Sequence, residues 1–300
     1  MKVLITGATG LIGQHLTAQL HQDNIDVHYL TTSRNKIEQQ PNYQGFFWDA
    51  KTQEIDTACL KGVTTIVHLA GASIAERWTE DYKETILKSR TETADLLRKT
   101  LKENEHTVTH FISASAIGAY PSSKTEIYTE SYPDYNPGFL GEVVEVWEAA
   151  ADRFKDLGLK VSKVRVGVVL AEKGGALEKL IQPIKMYVGA PLGDGEQWQS
   201  WIHVTDLASI FKTIIQKGLE GVYNAVAPNP VTNETLTKEA AKILNKPLIV
   251  PKVPRFALKL LLGEMAAIVL ESQKVSSSKA ESVYEYKFNQ LHRALKDLLA

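Results

Sequence analysis

The stretch Thr6-Gly7-Ala8-Thr9-Gly10-Leu11-Ile12-Gly13 decides the fold of this chain. Before it, the apolar run Lys2–Thr6 predicts a buried strand. After it, Leu11–His21 carries apolar residues at a spacing near 3.6, which predicts a helix. A glycine-rich turn between a strand and a helix presents backbone N–H groups to a phosphate. Its glycines allow a tight turn, a close approach of the ligand and close packing of the helix on the sheet.

The alternation of strand-like and helical stretches continues to about residue 170. Further strands are predicted at Val27–Thr31, Gly45–Trp48, Thr64–Leu69, His110–Ser113 and Lys160–Val166, and long helices at Asp81–Lys102 and Leu140–Leu157. Such alternation predicts a parallel sheet with helices on both faces. We therefore predict an α/β protein with a Rossmann-type doubly wound parallel sheet, in which the glycine turn binds a dinucleotide.

The second half of the chain follows a different pattern. Glycines and prolines cluster after residue 171, and helical pieces cut by prolines follow from Pro228 onward. The α/β pattern returns at Val204–Gln216, a predicted helix, and at Gly221–Ala225, a predicted strand. The stretch Ser272–Lys287 is polar and predicts a loop. We predict a Rossmann domain formed by residues 1–170 and about 202–226. Residues 171–201 and 227–300 are predicted to form a smaller, mostly helical C-terminal substrate domain, with the ligand in the gap.

Composition excludes several classes of partner. Lys and Arg number 34 and Asp and Glu 35, so the net charge of -1 argues against nucleic acid and against an anionic membrane surface. No apolar run approaches the ~18 residues that span a bilayer. The single cysteine, Cys59, allows neither an intrachain disulfide nor a multi-cysteine metal site. We expect a cytoplasmic protein with a small-molecule substrate and no metal.

The cofactor-binding residues follow from the glycine turn and from the end of the second strand. In the turn they are Gly7, Thr9, Gly10, Leu11, Ile12 and Gly13. NAD-binding proteins place a carboxylate after the second strand for the ribose 2′-hydroxyl. This chain has Ser33 and Arg34 there, which suit a 2′-phosphate, so we predict NADP(H). The alternative is that Arg34 and Lys36 only form a solvated loop.

The Gly-x-x-Gly-x-x-Gly spacing resembles the extended short-chain dehydrogenase/reductases, in their nucleotide-sugar epimerase branch. The resemblance implies that Leu69, Ala70 and Gly71 line the ribose and nicotinamide and that Asp49 meets the adenine. Over nearly its whole length the chain resembles the atypical "epimerase family" proteins, whose small C-terminal domain has no defined role. The matching stretches include Arg77-Trp78-Thr79, Phe139-Leu140, Trp147-Glu148-Ala149-Ala150, Leu192-Gly193-Asp194-Gly195 and Val253-Pro254-Arg255-Phe256 with Gly263-Glu264.

The same superfamily uses a serine after the fifth strand and a Tyr-x-x-x-Lys pair on the next helix for proton transfer. Ser115 stands at the serine position, but the tyrosine and lysine positions fall on Leu140 and Val144. Apolar side chains cannot transfer protons, so another group must act. The candidates are Arg90, which holds a substrate anion or forms a structural ion pair, and Glu142, which is an acid/base or a solvated surface residue.

Two functions fit these features. The first is an NADP-dependent oxidoreductase or epimerase that acts on a small polar substrate without the Tyr-x-x-x-Lys pair. The second is a non-catalytic NADP(H)-binding sensor or scaffold, and a purely structural role is less consistent with the glycine turn. Three tryptophans, Trp78, Trp198 and Trp201, form either a stacking surface in the cleft or the core of a domain interface. The superfamily implies a monomer or a homodimer, the latter through the two long helices.

Overall fold

A nine-stranded sheet forms the centre of the protein. The computed structural model describes all 300 residues. The seven parallel strands are β1 (Lys2–Thr6), β2 (Asp26–Thr31), β3 (Tyr43–Asp49), β4 (Thr65–His68), β5 (His110–Ala116), β6 (Lys160–Val166) and β7 (Gly221–Ala225). They lie in the order β7-β6-β5-β4-β1-β2-β3, and two short antiparallel strands border β3. The predicted parallel sheet is confirmed.

Helices cover both faces of this sheet. They are α1 (Leu11–Gln22) and α5 (Val204–Lys217) on one face and α2 (Glu80–Glu103) and α3 (Phe139–Asp152) on the other. Successive residues of β1 point to opposite faces, so Val3 and Ile5 pack in the core with α1 and α5, whereas Leu4 packs in the core with α2 and α3. The sheet is therefore doubly wound, as predicted.

A third hydrophobic core lies outside the sheet. It is built from α4 (Gly175–Lys185), α6 (Asn233–Ile243) and α8 (Leu291–Leu299), while α7 (Arg255–Leu262) packs in a small separate cluster. Trp201 belongs to this third core, but its neighbour Ile202 belongs to the core of α1 and α5. No helix combines the length and hydrophobicity needed to cross a lipid bilayer.

The polar stretch Ser272–Lys287, predicted as a loop, is more ordered than expected. It contains the short strand Lys274–Val275 and the single helical turn Ser278–Glu281. The buried carboxylate of Asp206 holds its end, accepting hydrogen bonds from the Tyr284 hydroxyl at 2.6 Å and from the backbone N–H groups of Lys287 and Phe288 at 3.0 and 2.9 Å. Asp206 is far from this segment in sequence, so the composition of the segment does not reveal these charge-assisted bonds.

Candidate functional site

The glycine turn has the geometry that its sequence predicts. Gly7 has a φ of 72°, in the left-handed region that favours glycine. A Cβ on Gly13 would overlap the carbonyl oxygen of Gly7 and would lie 2.5 Å from the Cα of Ala8, so a side chain there would push α1 off the turn. Gly10 precedes α1 without a side-chain cap, and the first turn of α1 holds no acidic residue. The N–H groups at this helix end can therefore receive a phosphate.

Hydrogen bonds from Thr6 attach the glycine turn to the loop after β4. The Thr6 hydroxyl oxygen accepts from the backbone N–H groups of Leu69 and Ala70, both at 3.1 Å. Its own hydrogen therefore points to His68 Nδ1 at 2.8 Å, which leaves the ring proton of His68 on Nε2, facing the Thr93 hydroxyl at 3.2 Å. Burial lowers the pKa of His68 to about 4, so the ring is neutral near pH 7.

The end of β2 presents an exposed cation. The Arg34 guanidinium lies 3.7 Å from the centre of the Phe47 ring and forms an ion pair with Glu54 at 2.9 Å. The half-buried Ser33 is fixed by its N–H bond to the Thr31 hydroxyl at 3.2 Å. An exposed ion pair contributes little, roughly 0–1 kcal/mol, so an anionic ligand can replace Glu54 as the partner of Arg34.

Asp49 lies at the end of the neighbouring strand β3. One of its carboxylate oxygens accepts the backbone N–H of Lys51 at 2.9 Å, which fixes the turn that follows. The side chain is half-buried, at the same carboxyl edge of the sheet as Arg34. The structure thus brings the residues predicted for the adenine half of the cofactor to one edge.

The helix that should carry the proton-transfer pair is apolar at both positions. Val144 is buried, and Leu140 packs over Gly118, where a Cβ would lie 3.3 Å from that of Leu140. Glu142 lies on the exposed face of α3 together with Glu145, opposite the buried face that carries Val144. The structure therefore does not bring Glu142 together with Ser115.

Ser115 belongs to a buried ion-pair cluster. Its hydroxyl donates to Glu148 Oε1 at 2.6 Å, and Arg165 binds both oxygens of the same carboxylate, at 2.8 and 3.0 Å. The Tyr135 hydroxyl adds a bond of 3.1 Å to Oε2. Burial raises the pKa of Glu148, but the Arg165 pair and the Ser115 bond lower it more, so the carboxylate stays ionised. In the sequence, this cluster is indicated only by Glu148, an acidic residue on the apolar stripe of α3, one turn after Val144.

Arg90 is buried between α2 and the loop after β4. It donates to two backbone carbonyls, those of Ile86 at 2.9 Å and Ala72 at 3.2 Å, and no carboxylate lies within ion-pair distance. The structural ion pair considered as one alternative for Arg90 is therefore wrong. The Ser89 hydroxyl accepts the N–H of Ala72 at 2.9 Å. Ser89 and Arg90, which are neighbours on α2, therefore bind the N–H and the carbonyl of Ala72.

Of the three tryptophans, Trp78 and Trp198 are half-buried and Trp201 is buried. Trp78 packs edge-on against Phe139 at the start of α3, with ring centroids 4.9 Å apart. Beside them Lys83 forms an ion pair at 2.5 Å with Glu264, which follows α7. Trp201 is fully buried in the third core, so it offers no surface on which a ligand ring could stack.

The doubly wound sheet and the glycine turn define a Rossmann-type nucleotide-binding protein. Comparison with known proteins identifies the family: residues 3–225 match the NAD dependent epimerase/dehydratase family, and residues 253–298 match a domain of unknown function, DUF1731. The chain belongs to the NAD dependent epimerase/dehydratase family, and the resemblance to the epimerase family proteins is confirmed.

Three relatives span almost the whole chain. The chloroplastic homologue of epimerase family protein SDR39U1 from Arabidopsis thaliana is 38% identical over 306 residues, covering 100% of this chain and 87% of the relative. An epimerase family protein of Staphylococcus epidermidis is 34% identical and covers 99% of each chain. The crystal structure of human epimerase family protein SDR39U1 with NADPH matches at a TM-score of 0.86, with 29% identity and 99% of each chain covered.

Proposed function

We propose that this chain is an NADP(H)-dependent oxidoreductase or epimerase that acts on a small polar substrate without a Tyr-x-x-x-Lys pair. The observation that carries the cofactor assignment is the end of β2, where Ser33 and Arg34 stand and the turn Arg34–Lys36 holds no acidic residue. A 2′-phosphate would complement this edge, whereas NAD would leave the guanidinium without a ligand partner. The human relative, crystallised with NADPH, supports the same choice.

The residues present fit the whole dinucleotide. The N–H groups at the start of α1 would hold the pyrophosphate, because no side chain caps them and no acidic residue in the first turn opposes the charge. Ser33 and Arg34 would bind the 2′-phosphate and Asp49 would face the adenine. Leu69, Ala70 and Gly71 would lie along the nicotinamide ribose. When bound, the cofactor would supply or accept a hydride.

The chain's own groups would bind the substrate and manage protons. Ser115 offers its lone pairs, because its hydrogen is directed at Glu148. Arg90 offers a buried positive charge that could polarise a carbonyl or hold an anion. Glu142 has the weakest support of the three proposed catalytic residues, since its exposed position requires water to carry the proton to the cleft.

A non-catalytic NADP(H)-binding sensor or scaffold is the second candidate. One observation favours it: both positions of the expected proton-transfer pair, Leu140 and Val144, are apolar, and the Ser115 hydrogen is already engaged. A sensor needs only the cofactor site and a surface that responds to it. The two candidates share the cofactor and differ in turnover.

The same features suggest where the substrate binds, which partners the protein has and in which compartment it works. We propose a substrate bound in the gap between the Rossmann domain of residues 1–170 and about 202–226 and the smaller domain formed by the rest. No nucleic acid or membrane partner is proposed, and the protein would be a monomer or a homodimer through α2 and α3. The lone thiol of Cys59 is buried, and burial raises its pKa to about 12, which suits a structural residue in a cytoplasmic protein.

Calorimetric titration with NADPH and with NADH tests the cofactor assignment. We expect NADPH to bind at least tenfold more tightly, about 1.4 kcal/mol, and Arg34→Ala to remove this preference. Lys36→Ala is the matched control, because it removes an exposed cation from the same turn. Equal affinities in the unchanged protein would show that Ser33 and Arg34 do not recognise the 2′-phosphate. NADPH consumption with a panel of carbonyl compounds and sugar nucleotides then separates enzyme from sensor.

A further inference from the structure

Glu271 brings a carboxyl group from the C-terminal part of the chain to the start of α3. It lies within residues 253–298, which match the domain of unknown function. Glu271 Oε2 accepts a hydrogen bond from the side-chain amide of Asn136 at 2.8 Å. The amide oxygen of Asn136 in turn accepts the N–H of Gly138, the residue before α3, at 2.8 Å. Asn136 therefore connects this carboxyl group to the first turn of the helix that carries the apolar Leu140.

The neighbours of Glu271 place it at the carboxyl edge of the parallel sheet. Gln273, two residues later, donates to the carbonyl of Tyr120 in the loop after β5 at 3.3 Å. The start of α3 also meets the loop after β4, through the contact between Phe139 and Trp78. Ligands of open α/β sheets bind outside this edge, between the loops that follow the strands. Glu271 therefore lies where we propose that the substrate binds, on the side of the smaller domain.

One oxygen of the Glu271 carboxyl group is free to meet a ligand. Both hydrogen bonds from the protein reach Oε2, that of Asn136 and that of the Gln273 amide at 2.9 Å. Oε1 has no protein partner, yet it is not one of the fully enclosed polar atoms, so it retains accessible surface. It lies 4.0 Å from the place that a Cβ on the exposed Gly138 would occupy. The side chain is half-buried, held through one oxygen and open at the other.

Glu271 is the only carboxyl group in the structure whose pKa is raised. Burial raises this pKa, the amides of Gln273 and Asn136 offset the effect only in part, and no charged side chain contributes. Glu148 is also buried, but Arg165 holds it ionised. The other carboxyl groups with shifted pKa values, all lowered, are Asp23, Asp152, Asp194 and Glu234. A carboxyl group with a raised pKa is suited to donate and accept protons nearer neutral pH.

We propose that Glu271 is the proton donor and acceptor of the substrate site, in place of the absent tyrosine and lysine. The inference rests on the proposed oxidoreductase or epimerase function and assigns a catalytic residue to the C-terminal domain. A substrate carbonyl that is reduced by a hydride gains negative charge on its oxygen, and Glu271 gives that oxygen its proton. The new O–H bond forms as that of the carboxyl group breaks, and the resulting carboxylate regains a proton from water. In the opposite direction the carboxylate removes the proton of a substrate hydroxyl group as the hydride leaves the carbon.

Glu271→Gln tests this proposal, because glutamine keeps the size of the side chain and an oxygen for the bonds of Asn136 and Gln273 but cannot exchange a proton. Turnover of a panel of carbonyl compounds and sugar nucleotides gives kcat and KM, and calorimetry gives the Kd of NADPH. We expect kcat to fall about 100-fold or more, as for loss of a general acid–base group, with KM and the Kd of NADPH changed less than about threefold. Glu264→Gln is the matched control, since Glu264 is a C-terminal carboxyl group that also contacts the Rossmann domain but pairs with Lys83. Its kcat should stay within about threefold of the unchanged protein.

A second measurement needs no substrate. Carbon-13 NMR of the protein with labelled glutamate carboxyl groups follows each titration, and the signal that Glu271→Gln lacks identifies Glu271. We expect a midpoint above the ordinary glutamate value of about 4.3. A midpoint at or below that value would overturn the proposal, because Glu271 would then be an ordinary carboxylate near neutral pH.

The results separate failure of this inference from failure of the proposed function. Loss of kcat in Glu271→Gln alone, with NADPH binding intact, supports the role of Glu271. Unchanged turnover in this variant, or a joint loss of turnover, NADPH affinity and Tm, overturns it and leaves Glu271 as an anchor for the start of α3. NADPH binding without turnover by the unchanged protein refutes the enzymatic function and this step with it, and absence of NADPH binding refutes the cofactor assignment.

Discussion

Replacing Arg165 with methionine should destabilise the fold strongly, because it would leave the Glu148 carboxylate buried without its main partner. Glu148 is 2% exposed and receives both of its ionic hydrogen bonds from Arg165, at 2.8 and 3.0 Å. Removing one member of a buried ion pair costs about 3–5 kcal/mol. Lys163, with its Nζ 3.5 Å from Glu148 Oε2, and the Ser115 hydroxyl would remain, so we expect a loss near the lower end, about 3 kcal/mol.

The pH dependence of this loss identifies its cause. In the unchanged protein the pKa of Glu148 is lowered, so the pair stabilises the fold above the unfolded-state pKa and this contribution is lost as the pH falls through the folded value. Without Arg165, burial would raise the pKa of Glu148 above its unfolded value. The carboxyl would then protonate on acidification, and the difference between the two proteins should shrink from pH 7 towards pH 4.

Urea unfolding followed by tryptophan fluorescence and by circular dichroism at several pH values measures this difference. The double variant Arg165→Met with Glu148→Gln removes the stranded charge and should recover roughly 1–3 kcal/mol of the loss. A loss below about 1 kcal/mol, or a loss that does not change with pH, would refute the view that Arg165 stabilises the fold by neutralising Glu148.

Two further predictions concern the buried histidines and the C-terminal segment. Burial lowers the pKa of both His68 and His110 to about 4, so between pH 6.5 and 4 only the unfolded chain takes up these protons, and stability should fall with acidification by up to about 2.7 kcal/mol per pH unit. Histidine ring NMR shifts should show both rings neutral at pH 5.5, and protonation there would contradict the assignment. Asp206→Ala would leave three donors of the C-terminal segment without their acceptor and should cost about 2–4 kcal/mol. Limited proteolysis should then cleave near residues 276–290 first, and an unchanged cleavage pattern would show that Asp206 does not hold this segment.

Much of the fold was predictable because it is encoded locally. The strand β1, the glycine turn and α1 follow one another without interruption, and the period of their apolar residues changes from two to 3.6 at the turn. The end of the helix predicted at Leu140–Leu157 was less predictable. The α-helix ends at Asp152 and a tighter turn follows to Leu157, closed by Gly158 with a φ of 74°. Glycine marks the stop but not the change in helix type.

The polar partners of the site were not predictable, because they come from different elements. The sequence places Ser115 after the fifth strand and shows Glu148 on a buried stripe, but it does not show that Arg165 on the adjacent strand binds Glu148. The same holds at the start of α5, where His203 caps the helix by accepting the N–H of Thr205 at 3.1 Å. Asp206, a natural capping residue by type, instead holds the C-terminal segment. Tertiary hydrogen bonds, and not the local preference of aspartate for helix caps, therefore determine the role of Asp206.

The loop after β4 and the start of α2 also contact the second half of the chain. Lys179 of α4 donates to the carbonyl of Ala75 at 3.3 Å, and Lys83 at the start of α2 pairs with Glu264. The hydrogen bond of Lys179 is exposed, and the Lys83–Glu264 ion pair is partly exposed, with the Glu264 side chain 65% exposed. An ion pair of this kind contributes roughly 0–1 kcal/mol. Within the second half of the chain the contacts are buried: the Ser200 hydroxyl donates to the Gln273 carbonyl at 2.9 Å. Contacts between the loop after β4 and the second half of the chain therefore contribute little to stability, whereas buried hydrogen bonds within that half contribute more.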